Sequence, residues 1–266
     1  MKKKDEIAIT VKDLHVYYRD MNRFSLKKMG VKGKGSGKIF KAVKGVTFEV
    51  PKGQILGICG RNGSGKSTLL RAISGIFSAD SGSINLHGNT ISLLSIGVGF
   101  QKKLTGYENI FLSGLLLGYT KEQVEEKIND IIEFSELGDF IYKPVSSYSS
   151  GMYSKLAFSI TAILETDIML IDEVLSVGDI HFREKSYNKM KELISNDDRT
   201  VVIVSHNSNT IKELCDKVIW LHDGLIKDEG DPTEIMDKYE AFMRNEGSEI
   251  YLCRFFVCVN KCKTNC

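Results

Sequence analysis

Residues 60–68 read Gly-Arg-Asn-Gly-Ser-Gly-Lys-Ser-Thr, a full match to the spacing GxxxxGK[ST]. The chemistry of that pattern is phosphate binding. Gly60, Gly63 and Gly65 let successive backbone N–H groups turn inward, and a helix N-terminus beyond them adds unpaired donors and a favourable dipole. Lys66 supplies a point charge. Ser67 offers a hydroxyl to a magnesium ion that bridges the outer two phosphates, and Thr68 is placed to reach an inner one. Arg61, Asn62 and Ser64 complete the nucleotide-binding loop. A second chemical centre is Asp172-Glu173, which ends the apolar run Ile168-Met169-Leu170-Ile171. Ligands of parallel sheets collect at the carboxyl ends of strands, so these carboxylates are expected to face the phosphates held by Lys66. Asp172 is then the magnesium-side carboxylate, and Glu173 orients and deprotonates the water that attacks the γ-phosphate.

The elements that must hold these groups are legible around them. Gln54 to Cys59 is a short apolar run suited to a buried parallel strand, and Leu69 to Gly75 continues as a helix that Gly75 ends. Ile7, Ile9 and Val11 alternate with polar residues, as do Val46, Phe48 and Val50, which predicts two half-buried antiparallel strands. A polar hairpin is expected over Ser81 to Thr90, and an apolar strand over Leu93 to Val98. From Leu104 to about Leu137 the pattern turns helical: Thr120 and Gln123 form a capping box, and Val124, Ile128, Ile131 and Ile132 share a face until Gly138 stops the helix. Val201 to Val204 is a third buried strand. Lys217 to Leu221, the Asp223-Gly224 turn and Leu225 to Lys227 form a late hairpin. Strands alternating with helices indicate an α/β sandwich with a parallel sheet.

A chain of 266 residues, 42% hydrophobic and 26% charged, can bury a sizeable core as one domain with lobes. Its net charge of +2 implies no global pull toward nucleic acid. The apolar stretches Phe111 to Tyr119 and Ala157 to Leu164 are too short to span a bilayer, so the chain is expected in the cytoplasm, with any membrane attachment through a partner. Residues 19–44 form a basic insertion that carries Arg23, Lys27, Lys28, Lys32, Lys34, Lys38, Lys41 and Lys44. It reads either as a solvated loop or as a segment lying against anionic headgroups. Cys253, Cys258, Cys262 and Cys266 crowd residues 246–266, a tail that reads as a zinc or cluster site, as a poorly ordered tail or as a non-native chain end.

Two more features narrow the class. Tyr148-Ser149-Ser150-Gly151-Met152 lies just ahead of a helix expected over Tyr153 to Leu164, and His206 follows the strand that ends Val204-Ser205. In this order and spacing, the motifs resemble the ATP-binding subunits of ABC transporters across nearly all of residues 7–240. The resemblance implies a P-loop NTPase (RecA-like) parallel-sheet core with an N-terminal antiparallel β lobe and an inserted helical subdomain at about 102–160, within a domain of residues 1–245. It implies that Gln101 contacts magnesium and water and senses the membrane partner, and that His206 holds the γ-phosphate. Ser149, Ser150, Gly151 and Met152 match the signature loop, and Ser176 to Asp179 the loop after the catalytic carboxylate. An aromatic residue stacks on adenine in this family. Tyr18 is the first choice, with Tyr17 and Phe40 as alternatives.

The signature is a helix N-terminus again. Ser149 and the N–H groups near Gly151 would grip a γ-phosphate bound by a second subunit, giving a homodimer with two ATP molecules sandwiched head to tail. The forms YSSGM and DEVLSVGD, the segment around Gln101 and the basic insertion together look like the branch that exports teichoic acids, O-antigens and other lipid-linked polysaccharides. That branch works with a separate membrane permease, at the cytoplasmic face of the membrane. Some of its members carry a further C-terminal module, and this chain is expected to end before one, with the similarity stopping near Asn245. The alternatives are a transporter subunit for another cargo, or a soluble ABC protein. A guanine nucleotide is disfavoured, because Asn188-Lys189-Met190-Lys191 lacks the carboxylate of an NKxD motif.

Overall fold

The computed structural model describes residues 6–19, 39–94, 99–172, 179–194, 199–205 and 207–244. Two sheets organise it. Strands β1 (Ile7–Arg19), β2 (Ile39–Pro51) and β4 (Ser81–Asn85) form an antiparallel sheet in the order β2-β1-β4. The second sheet runs β5-β6-β7-β3-β8-β9, from β5 (Ile91–Leu94), β6 (Ile168–Asp172), β7 (Thr200–Val204), β3 (Ile55–Cys59), β8 (Lys217–His222) and β9 (Leu225–Gly230). Its first five strands are parallel, and β9 closes the edge antiparallel to β8 through the turn at Asp223 and Gly224. Both turn residues have positive φ, 48° and 82°, as a tight two-residue hairpin needs.

Strand periodicity splits the central sheet's side chains between two cores. Leu56, Ile58, Ile168, Leu170, Val202, Val204, Ile219 and Leu221 pack with the antiparallel sheet and with Leu69, Leu70 and Ile73 of α1 (Lys66–Ile73). Cys59, Met169, Ile171, Val201, Ile203, Val218 and Trp220 face the other way. There they meet α5 (Ile180–Ile194), α6 (Ser208–Leu214) and a last helix over residues 232–244. Burial on both faces explains why these strands read as continuous apolar runs. A third core sits in a helical lobe built from α2 (Gly106–Leu116), α3 (Lys121–Ser135) and α4 (Ser150–Ile163), around Ile110, Val124, Ile131, Ile141, Leu156 and Ile160.

Several local expectations are corrected. Residues 81–90 are not a hairpin: β4 pairs with β1, while β5 pairs with β6 in the other sheet. Helices α1 and α4 each begin three residues before the expected starts, because the glycine and serine residues ahead of the apolar runs serve as caps and first turns. Helix α3 keeps its capping box but stops at Glu136, in left-handed backbone with φ 55°, two residues before Gly138. Residues 39–44, assigned to the basic insertion, belong to β2, and Lys44 N–H donates to Gly224 O at 2.8 Å. The rest of the insertion from residue 20, the 246–266 tail, and residues 95–98 of the expected Leu93 to Val98 strand lie outside the described residues.

Candidate functional site

The phosphate loop lies between the end of β3 and the start of α1, wedged against both sheets. A Cβ on Gly60 would stand 2.1 Å from Leu221 O, and one on Gly65 2.3 Å from Ala42 O. Both positions have positive φ, so backbone geometry and space each require glycine there. Gly65 is the N-cap of α1, with no side chain capping the helix and no acidic residue in its first turn. The first N–H groups therefore remain directed at the loop's interior, where an anion completes them. Lys66, 6% exposed, donates from Nζ to Gly60 O at 2.7 Å and to Arg61 O at 3.0 Å. A cleft of about 190 Å³ opens here, lined by Phe40, Ala42, Asn62, Gly63, Gly65, Lys66, Ser67 and Thr68.

The sheet brings the second centre to this cleft. Parallel pairing of β6 with β7, and of β7 with β3, places the carboxyl end of β6 beside the first turn of α1. Ser67 Oγ donates to Asp172 Oδ1 at 3.3 Å. A hydroxyl and a carboxylate meeting at the rim of an anion cradle are an oxygen-only donor set that suits a hard divalent cation. Thr68 Oγ1 lies 3.0 Å from the Tyr18 hydroxyl, within hydrogen-bond distance. Tyr18 in turn stacks on Phe40, with ring centres 6.5 Å apart, and meets the edge of Phe77. Glu173, Ser176 to Gly178 and His206 lie outside the described residues.

The Gln101 side chain is exposed, while its backbone is pinned. Gln101 N–H donates to Asn109 Oδ1 at 2.7 Å, and Asn109 Nδ2 donates to Gln101 O at 3.1 Å and to Thr105 O at 2.8 Å. Phe100 packs edge-on against Tyr153 of α4, which links this loop to the signature helix.

Ser149 caps α4: its Oγ accepts from Met152 N–H at 3.2 Å, and no acidic residue occupies the helix's first turn. Tyr148 donates from its hydroxyl to Phe140 O at 2.8 Å and fills the space over Gly106, so this tyrosine has a packing role. Ser149, Gly151, Met152 and Asp179 line a second cleft of about 420 Å³ with Glu136, Leu137, Phe140 and Lys155. The two clefts share no lining residue.

The ABC transporter profile matches residues 43–176, which span the phosphate loop, the signature and Asp172-Glu173. The chain belongs to the ABC transporter family. It is 43% identical over 201 residues to the O-antigen export system ATP-binding protein RfbB of Myxococcus xanthus, covering 76% of this chain and 46% of that protein. It is 44% identical over 208 residues to the teichoic acids export ATP-binding protein TagH of Bacillus anthracis, covering 78% of this chain and 38% of that protein. The chain thus spans less than half the length of either of these curated relatives. Its fold is also that of the ATP-binding cassette MJ0796, solved as a dimer in a post-hydrolysis state, with TM-score 0.65 and 21% identity over 84% of this chain and 98% of that one. The parallel core, antiparallel lobe and helical lobe are those of an ABC cassette.

Sequence reasoning missed three residues that shape this cassette's site. Asn109 is fully buried, on a helix face that it shares with Gly106, Ile110, Ser113 and Gly114. Lys155 and Glu136 were invisible, because their pairing crosses between elements far apart in the chain.

Proposed function

We propose that the chain is the ATP-hydrolysing subunit of an ABC transporter that exports a lipid-linked polysaccharide or teichoic acid through a separate membrane permease. The observation that carries the ATPase reading is the meeting of Ser67 and Asp172 at the mouth of a glycine cradle that holds Lys66. In this reading Gly60 to Thr68 bind the triphosphate through backbone N–H groups, and Lys66 offsets its charge. Ser67, Asp172 and Gln101 would hold magnesium, which when bound neutralises charge on the outer phosphates. Glu173 takes the proton of the attacking water, and His206 steadies the γ-phosphate. Ser149 to Met152 and Asp179 meet the nucleotide of a second copy of the chain, a reading supported by two separate clefts in one subunit. For adenine, the Tyr18–Phe40 pair is the stacking candidate: Phe40 lines the cleft and is 59% exposed, and Tyr18 stacks on it with its hydroxyl engaged by Thr68.

Export is supported by the similarity to an O-antigen export and a teichoic acids export ATP-binding protein. Among the described residues no helix is long and apolar enough to cross a membrane, which fits a subunit held at the cytoplasmic face by a permease. Calorimetric titration with Mg·ATP tests the nucleotide reading, and absence of uptake by folded protein would sink it. Co-purification with the native permease, followed by analysis of bound lipid-linked glycan, tests the cargo. A complex carrying another class of molecule would reassign it.

A further inference from the structure

Lys155 stands in the second turn of α4, six residues past the Ser149 cap, with a side chain only 14% exposed. Its ammonium serves two carboxylates on different elements. Asp179 Oδ2 lies 2.8 Å away, and Glu136 Oε2 3.5 Å away. Asp179 is also the cap of α5: its Oδ1 accepts from Phe182 N–H at 3.0 Å and its carbonyl from Arg183 N–H at 3.0 Å. Glu136 ends α3 in backbone that a glycine would adopt without strain, and there it also receives Lys185 Nζ at 2.8 Å, with His181 Nδ1 3.8 Å away. The Lys155 and Lys185 ammoniums also sit over the Phe182 and Phe134 rings, which pack edge to face. The Asp179 carboxyl is held down at about 2 by Lys155 and by its cap bond, so the pair is fully charged at neutral pH.

We propose that Lys155 is a positioning residue for ATP turnover: by gripping Asp179 and Glu136 together it fixes the head of α5 against the first turns of the signature helix. The head of α5 is thereby held beside the helix N-terminus proposed to meet the partner's nucleotide. The inference rests on the ATPase reading above. It separates two quantities, since Lys155 touches neither the phosphate loop nor its cleft. Losing the ammonium should spare Mg·ATP binding by a single subunit and slow turnover by the dimer.

The test compares Lys155→Met, Lys155→Arg, Asp179→Asn and the double variant Lys155→Met/Asp179→Asn in the full chain, by calorimetric Mg·ATP binding and by steady-state phosphate release. Lys155→Met should bind within about threefold of the parent and turn over at least about tenfold more slowly, a misplacement effect without loss of ground-state binding. Lys155→Arg should restore turnover to within about threefold, because the cation is kept. Asp179→Asn keeps the helix cap and loses the ion pair, so it should show the same defect, and the double variant should lose no more than either single one. Turnover by Lys155→Met at the parent rate, an Arg variant as slow as the Met variant, or multiplying defects in the double variant would each overturn the proposal. If Lys155→Met does not fold, Glu136→Gln decides, since Glu136 is given no contact with nucleotide: parental turnover overturns the proposal, and a tenfold loss with intact binding supports it. Failure of the unsubstituted chain to bind Mg·ATP would instead remove the ATPase reading itself.

Discussion

At the scale of residues, the site depends on one buried ammonium and on thiols kept out of its chemistry. Lys66 is held by loop carbonyls beneath the place where phosphates bind. Lys66→Ala should weaken Mg·ATP binding by about tenfold to a hundredfold, the worth of a charge-assisted hydrogen bond, as read by calorimetry. Cys59 directly precedes the phosphate loop, and burial pushes its thiol up to about 12 against the opposing pull of Lys66. Burial, with the Asp216 carboxylate, raises Cys215 to about 12 as well. A folded value above the unfolded one means that the buried thiols contribute stability in full below about pH 8.5, and that this contribution declines as pH rises toward 12. At pH 8 iodoacetamide should modify both residues at least about a hundredfold more slowly in the native chain than in urea, resolved by peptide mapping. Native reactivity equal to that in urea would contradict the burial.

At the scale of elements, the loop of Gln101 is as rigid as Asn109 makes it. Asn109→Ala leaves the Gln101 N–H and several carbonyls without their partner. Unfolding in urea should show a loss of about 1 to 3 kcal/mol, the usual cost of unsatisfied buried groups. Much of this level was legible in advance. The phosphate loop, the strand ending at Asp172, the Thr120 capping box and the late hairpin all rest on local chemistry, and each stands where its pattern put it. What failed was non-local. Nothing in Ser81 to Thr90 says that Ser81 to Asn85 joins one sheet while the strand that starts at Ile91 joins the other, and the cations that Glu136 meets at the end of α3 come from α4 and α5. The adenine ring was ambiguous for the same reason: Tyr17, Tyr18 and Phe40 lie on paired strands, and only the pairing sets which face reaches the cleft.

At the scale of the whole molecule, the phosphate loop and the signature line different clefts, which supports the proposal that a complete site takes two copies. Glu173→Gln removes the base proposed above and keeps the side chain's size. It should bind Mg·ATP as the parent does, hydrolyse it at least about a hundredfold more slowly, and elute as a dimer in size-exclusion chromatography with ATP present. Monomeric elution of that variant with ATP bound would refute the sandwich. The carbonyls of Ala42 and Leu221 that crowd Gly65 and Gly60 come from the antiparallel sheet and the central sheet respectively. With both sheets pressed on it, the cradle loses its conformational freedom when the protein folds, long before any ligand arrives. Nucleotide capture then carries little ordering penalty, so its heat-capacity change should be that of a rigid pocket and its on-rate should be free of a slow rearrangement step.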